Sequence, residues 1–254
     1  MTKVFDLVVI GAGPGGYVAA IRAAQLGFKT AIVEKEVMQG KSKLGGTCLN
    51  WGCIPSKALL DSSEHFHLAK KTFKTHGIDL EGVKLNFKQM MSRKDAVVDN
   101  TTQGIEFLMT KNKITVFRGT ASFESETSLS VSSKDGLESV SFKKAIIATG
   151  SEVTPLPGID CDGKGIISSN EALYLTKQPK SMIVVGGGVI GVELGSVYAR
   201  LGTKVMVLSP IIRGKKGEHL STYEDLKRNG YVRVIVNGVI YPIEEFPDLE
   251  NQVK

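Results

Sequence analysis

The chain has 254 residues, 42% of them hydrophobic and 23% charged, the balance of a soluble globular protein with room for one large or two ordinary domains. No apolar run approaches the roughly 18 residues of a membrane span, and three cysteines are too few for a secreted disulfide scaffold. The formal charge of +6 admits an acidic partner, but residues 1–208 hold no basic cluster interleaved with aromatics, so a mildly basic solvated surface is expected rather than a nucleic-acid site.

Residues 6–10 (DLVVI) are a short apolar run, read as a buried parallel strand. The N-terminus shows neither a signal peptide nor an Arg/Ser-rich transit peptide, which makes the cytoplasm of a prokaryote the expected compartment. Gly11, Gly13 and Gly16 then stand in G-x-G-x-x-G spacing. The first glycine permits a tight turn, the second lets backbone approach a pyrophosphate, and the third lets helix and strand pack closely. A helix is expected over 17–26, stopped by Gly27, and a second strand over 29–33 with Glu34 at its end. An acid there can bond a ribose hydroxyl. Strand, glycines, helix, strand and acid in this order predict a dinucleotide-binding unit. The spacing does not say which dinucleotide.

The stretch 44–57, LGGTCLNWGCIPSK, organises the chain. Cys48 and Cys53 stand close together before a helix-compatible segment over 56–71. A helix start favours a thiolate, and a bridge over so short a loop gains little from closure, so its value would be redox rather than structural. Two buried small hydrophobes are the alternative, which the glycine-rich neighbours disfavour. Helical segments are expected over 59–73 and 87–108, with His65, His67 and His76 read as structural. A strand over 114–118 leads to Gly119, and 123–142 alternates as a β-meander. The run 145–151 (AIIATGS) is a strand and turn, and Pro155, Pro157 and Gly158 mark a linker. Cys161 has no partner in its loop. A second unit follows, with a strand over 181–185, Gly186, Gly188 and Gly191 in the same spacing, a helix over 192–201 stopped by Gly202, and a strand over 204–208. Glu193 is expected to open that helix.

Together GGTCLNWGCIPSK, the two glycine fingerprints and the ATGS turn resemble the flavin-dependent pyridine nucleotide-disulfide oxidoreductases from about residue 4 to 208. Leu49, Ile54 and Ser56 are most similar to the dihydrolipoamide dehydrogenases, and less so to glutathione and mercuric reductases. The resemblance implies FAD on the first glycine loop and NAD on the second, and a Cys48–Cys53 redox disulfide. A dithiol would reduce it at Cys48, Cys53 would pass electrons to the flavin, and NAD+ would be reduced last. It further implies that Lys43 and the Gly119 turn contact the adenosine portion of FAD. Thr149, Gly150 and Ser151 would mark the crossing between domains beside the cofactor. Lys57 would lie near the flavin, paired with Glu193. As an isolated charge, Lys43 could equally be a solvated lysine; for Lys57 a solvated lysine, and for Glu193 an acid complementing its helix dipole, are the weaker alternatives. The implied partner is the lipoyl-bearing subunit of a 2-oxo acid dehydrogenase or glycine cleavage complex, acting on a homodimer.

From the first unit, 23 positions separate Gly11 from Glu34; the same step from Gly186 lands on Ser209. A small polar residue there, with Arg213, Lys215 and Lys216 following, would favour NADP over NAD if this half-domain folds, but a parallel sheet left without its later strands is expected to bind neither well. From Pro210 the expectation changes. Residues 210–219 and 230–234 look like an internal segment of the excinuclease ATPases of DNA repair, but without a Walker A sequence or cysteines. Seven Lys/Arg against seven Asp/Glu in 210–254 leave that tail neutral, so nucleic-acid binding is not expected. The catalytic His–Glu pair and the C-terminal interface domain of the disulfide oxidoreductases find no match here, which suggests a truncated or chimeric chain. The expected fold is thus α/β: an FAD-binding Rossmann-like domain over 1–150, an incomplete NAD-binding one over 151–209, and a foreign tail over 210–254. The expected activity is that of a dihydrolipoyl dehydrogenase. A glutathione- or mercuric-reductase-like flavoenzyme, or a non-catalytic flavin-binding fragment, is the alternative.

Overall fold

The computed structural model describes residues 3–35, 37–38, 41–209, 211–212, 217 and 219–247. The chain divides into two compact units, Met1–Leu208 and Ser209–Lys254. Arg213, Lys215 and Lys216, with Pro210, Gly214 and Glu218, lie outside the described residues.

In the first unit, strand β1 (Lys3–Ile10) runs into helix α1 (Pro14–Gln25) and strand β2 (Thr30–Glu34). Helix α1 starts at Pro14, earlier than the expected 17, because its cap is Gly13 in extended conformation and no side chain announces it. Two short antiparallel strands, β3 (Val37–Met38) and β4 (Lys41–Ser42), precede helices α2 (Gly46–Asn50) and α3 (Cys53–Lys71). A 3-10 turn (Phe73–His76) and a loop lead to α4 (Phe87–Lys111), capped by the Asn86 side chain on the Gln89 N–H. Strands β5 (Thr115–Arg118), β6 (Thr120–Ser125), β7 (Ser128–Ser133) and β8 (Gly136–Ile147) complete a six-stranded sheet of order β5-β2-β1-β8-β7-β6. β5, β2, β1 and β8 are parallel, and β7 and β6 return antiparallel as the expected meander.

Strand β2 is buried at all five positions, as a parallel strand covered on both faces must be. One face carries Val8, Ala31, Val33, Phe117, Leu129, Val140 and Phe142. The other packs Val9, Ile32, Ala20, Leu49 and Met109 under α1, α2 and α4. Parallel β1, β2 and β8 thereby end together, and the loops that follow them share one rim of the sheet.

Helix α5 (Ser169–Ala172) opens with a reciprocal capping box between Ser168 and Glu171. Strand β9 (Ser181–Val185), helix α6 (Val189–Leu201) and strand β10 (Lys204–Leu208) form the second βαβ unit. A third core joins Leu59 of α3, Met90 and Met91 of α4, Ala172 and Leu173, and Leu194, Val197, Tyr198 and Leu201 of α6. This cluster lays α6 against α3. Glu193 falls in the second turn of α6, not at its opening, because that helix also begins earlier than expected, right after its glycine cap. β9 and β10 pair with no other strand among the described residues.

In the second unit, α7 (Leu220–Arg228) is followed by a hairpin of β11 (Arg233–Val236) and β12 (Val239–Pro242) and a 3-10 turn (Ile243–Glu245). Asn237 and Gly238 both take positive φ, 50° and 85°, as a two-residue hairpin turn with the right-handed strand twist requires.

Candidate functional site

The first glycine loop is built so that side chains cannot enter it. Gly11 takes φ +100°, and a Cβ there would lie 2.3 Å from the Ala148 carbonyl oxygen, in the loop after β8. At Gly16 a Cβ would lie 1.8 Å from the Gly11 oxygen. The first turn of α1 has no side-chain cap, so its N-terminal dipole faces the loop. Glu34, 7% exposed at the end of β2, accepts a 2.8 Å hydrogen bond from the Ala12 N–H through Oε2. Its carbonyl also accepts from the Gly119 N–H at 2.9 Å, and Gly119 lies so close to β7 that a Cβ would meet the Ser132 oxygen at 2.3 Å. Thr149, Gly150 (φ +75°) and Ser151 are exposed on the loop after β8. Gly11, Gly13, Gly16, Glu34 and Gly119 thus share one rim with that turn.

The cysteine segment is wedged onto this loop. The Gly45 N–H donates to the Ala12 carbonyl at 2.8 Å. Gly46 takes φ +58°, and a Cβ on it would lie 2.5 Å from the Gly13 Cα. Cys48 is the third residue of α2 and Cys53 the first of α3, whose cap, Gly52, carries no side chain. Both stand as free thiols, Cys48 half-buried and Cys53 exposed; Cys161 is exposed and free as well. Burial pushes the Cys48 thiol up, and the adjoining Cys53 adds to this through its hydrogen bond and charge. The Cys53 backbone N–H and the Lys57 ammonium pull it the other way with less effect. The expectation that a helix start lowers the thiol is therefore corrected for Cys48, where desolvation and the second sulfur win.

One helical turn beyond Cys53, the Lys57 ammonium bonds both carboxylate oxygens of Glu193, at 2.7 and 2.8 Å. These residues are 136 positions apart, and the packing of α6 on α3 brings them together. Lys57 is 59% exposed and Glu193 26%. Lys43, 15% exposed at its side chain, bonds Asp99 of α4 at 2.5 Å. His65 pairs with Asp61 one turn earlier on α3.

The second glycine loop repeats the first. Gly186 takes φ +108°, and its N–H donates to the Leu208 carbonyl at 2.7 Å. A Cβ on Gly191 would meet the Gly186 oxygen at 2.6 Å, and Gly188 caps α6 in extended conformation without a side-chain bond. Ser209 is exposed. Among the described residues, no group of three or more His, Cys, Asp or Glu is placed to hold a metal ion, and no helix is long and apolar enough to cross a membrane.

Tyr174 also touches the cysteine turn, and Lys94 stands behind it. The Tyr174 hydroxyl donates to the Asn50 carbonyl at 2.8 Å, and the buried Lys94 ammonium lies against the Tyr174 ring. No spacing or motif marks either.

A family model, "Pyridine nucleotide-disulphide oxidoreductase", matches residues 5–240. The chain is 52% identical over 221 residues to "Dihydrolipoyl dehydrogenase, mitochondrial" of Schizosaccharomyces pombe, covering 85% of this chain and 42% of that protein. It is 54% identical over 203 residues to "Dihydrolipoyl dehydrogenase" of Manduca sexta, covering 80% and 40%. The Trypanosoma brucei brucei protein of that name is 46% identical over 243 residues, covering 92% and 49%. Among solved structures, the Cu(II) complex of the HOCl-induced flavoprotein disulfide reductase RclA from Escherichia coli matches 90% of this chain and 48% of its own. There the TM-score is 0.68 at 26% identity. The chain spans less than half the length of these relatives. The family match runs to residue 240, past the point near 208 where the resemblance was expected to stop, and the comparisons do not show the excinuclease likeness of the tail.

Proposed function

The chain belongs to the pyridine nucleotide-disulphide oxidoreductase family, and from that premise we propose that Cys48 and Cys53 are the redox pair of a dihydrolipoyl dehydrogenase. The single observation that carries this reading is the Gly13–Gly46 contact, which seats the cysteine turn directly on a dinucleotide-type glycine loop.

FAD fits the first loop. Gly11, Gly13 and Gly16 leave backbone-lined space, the uncapped start of α1 favours a diphosphate, and the Glu34 carboxylate is placed for a ribose. Lys43, Gly119, Thr149, Gly150 and Ser151 are assigned to the same cofactor, and Gly186, Gly188 and Gly191 to NAD. When bound, FAD supplies a two-electron acceptor and NAD+ a hydride acceptor. The chain's own part is thiol exchange. A substrate thiolate attacks the Cys48–Cys53 disulfide at Cys48 and releases Cys53 as thiolate. The second substrate sulfur then displaces Cys48, so the substrate leaves as a disulfide and both cysteines are reduced. The raised Cys48 thiol makes Cys48 a reluctant leaving group, so its displacement by the second substrate sulfur calls for a proton donor near it. Lys57, held by Glu193, places a cation one turn from Cys53, where it favours electron-rich partners.

The substrate we propose is a lipoyl group on a 2-oxo acid dehydrogenase or glycine cleavage complex, after the names of the relatives. Three cysteines in 254 residues are too few for a secreted disulfide scaffold, and we place the chain in the cytoplasm. Anaerobic titration of the flavin-reconstituted chain with dihydrolipoamide tests the reading. Loss of the oxidised flavin absorbance in the parent and not in Cys48→Ser is expected. Failure to retain flavin, or equal bleaching in both, overturns it.

A further inference from the structure

The proposed reaction leaves one buried charge unused. The Lys94 side chain on α4 is 1% exposed. Its ammonium lies 2.6 Å from the Asp95 carboxylate and 3.4 Å from the centre of the Tyr174 ring. An ammonium so far from water needs such partners, and an aromatic face is one of the few available in an apolar setting. Burial holds its pKa below the ordinary lysine value, with Asp95 opposing. Beside this group opens a cavity of about 450 Å³ lined by Lys88, Met91, Asp95, Leu175 and Thr176 along with Lys94 and Tyr174.

Tyr174 carries the contact on to the cysteines. Its hydroxyl donates to the Asn50 carbonyl, and its ring meets Trp51 edge-on, centres 5.4 Å apart at 71°. Asn50 and Trp51 sit between Cys48 and Cys53. The Asn50 side chain, fully buried, donates to the Leu44 and Gly46 carbonyls at 3.2 and 3.0 Å. The turn is therefore held from two sides, by its own Asn50 amide and by Tyr174. Tyr174 itself stands on a fixed mount: the Ser168–Glu171 capping box holds the start of α5, and the Tyr198 hydroxyl of α6 donates to the Ala172 carbonyl.

We propose that Tyr174, braced by the Lys94 ammonium, is a positioning residue that holds the Cys48–Cys53 turn with its sulfurs in reach of each other. This rests on the redox reading of the pair. Tyr174 bonds the turn's backbone and acts on the sulfurs only through it. What it sets is the effective concentration of one thiol at the other. Closing the disulfide removes two electrons and two protons from the thiols. With glutathione disulfide as oxidant, these leave in two molecules of glutathione.

The test equilibrates the full chain in glutathione buffers without flavin or nicotinamide, followed by acid quench, alkylation and mass measurement. Tyr174→Phe keeps the ring over Lys94 and against Trp51 but removes the donor. Lys94→Met keeps the stem and removes the charge. Loss of one net hydrogen bond lowers the effective concentration about fivefold in Tyr174→Phe, and Lys94→Met lowers it as well. Trp51 is the chain's single tryptophan, so its fluorescence anisotropy reads the same turn and falls in both reduced variants. An unchanged exchange constant in a folded variant overturns the proposal. If neither variant folds, the reduced parent decides: a Trp51 freely reached by acrylamide overturns it, and an immobilised, shielded one upholds it. A parent that forms no disulfide at any glutathione ratio sinks the redox reading itself, whereas equal disulfide in parent and variants sinks only the positioning role.

Discussion

Gly46→Ala separates the two things a glycine can be needed for. At φ +58° an alanine costs about 1–2 kcal/mol of left-handed strain, less about 0.4–1 kcal/mol for the stiffer unfolded chain. Those terms recur at Gly77, where φ is +75° and nothing lies within 4 Å of the added Cβ. Gly77→Ala is therefore the control. At Gly46 the Cβ also falls 2.5 Å from the Gly13 Cα and 3.1 Å from its nitrogen. Both are backbone atoms, so the two loops must part by about an ångström, an overpacking cost of about 1–3 kcal/mol. The difference between the two variants in urea denaturation should be that last term alone. Because the loops that part are the cysteine turn and the proposed phosphate cradle, FAD affinity, read by quenching of flavin fluorescence, should fall in Gly46→Ala and hold in Gly77→Ala. Equal loss of stability in both variants, with unaltered FAD affinity, would refute the reasoning from contact geometry.

Four further outcomes follow from the site. The Cys48 thiol is raised, so at pH 7 its alkylation by iodoacetamide should be slower than that of an unstructured cysteine peptide, gaining speed only at higher pH; Cys53→Ser removes two of the raising causes and should move the profile to lower pH. In air-oxidised chain both Cys48 and Cys53 should escape alkylation while Cys161 is labelled, as mass measurement reads directly. Glu34→Ala leaves the buried Ala12 N–H without its side-chain acceptor, which should cost about 1–3 kcal/mol of stability and weaken FAD binding about tenfold, the worth of one charge-assisted bond. A double-mutant cycle on Lys57→Met and Glu193→Gln should give a coupling of only about 0.2–1 kcal/mol in urea, since Lys57 is more than half exposed, whereas Lys57→Met alone should make the bound flavin harder to reduce in spectroelectrochemistry.

What could be read from the sequence was where backbone must approach backbone, because only glycine answers that need. Gly11, Gly16 and Gly191 each meet a carbonyl oxygen that leaves no space for a Cβ, and their spacing is visible without coordinates. Helix starts were less legible for the same reason: Gly13 and Gly188 cap α1 and α6 without a side-chain bond, so no Ser, Thr, Asp or Asn marks the boundary. The Lys57–Glu193 pair spans 136 positions; it was reached through family resemblance, since no local period connects α3 to α6. Tyr174 and Lys94 carry no signal in the sequence because a lysine on a long helix ordinarily faces water, whereas this one is 1% exposed in the fold.

The β9–β10 ribbon has a colloidal consequence. Each of its two strands is an edge among the described residues, and Ile183 and Val185 are 65% and 52% exposed on the side away from α6. Free ladder groups beside bare aliphatic side chains are a surface on which copies of one chain adhere. Ammonium sulfate and concentration should drive the chain into reversible clusters through this ribbon, and cooling should loosen them, since burial of apolar surface weakens in the cold.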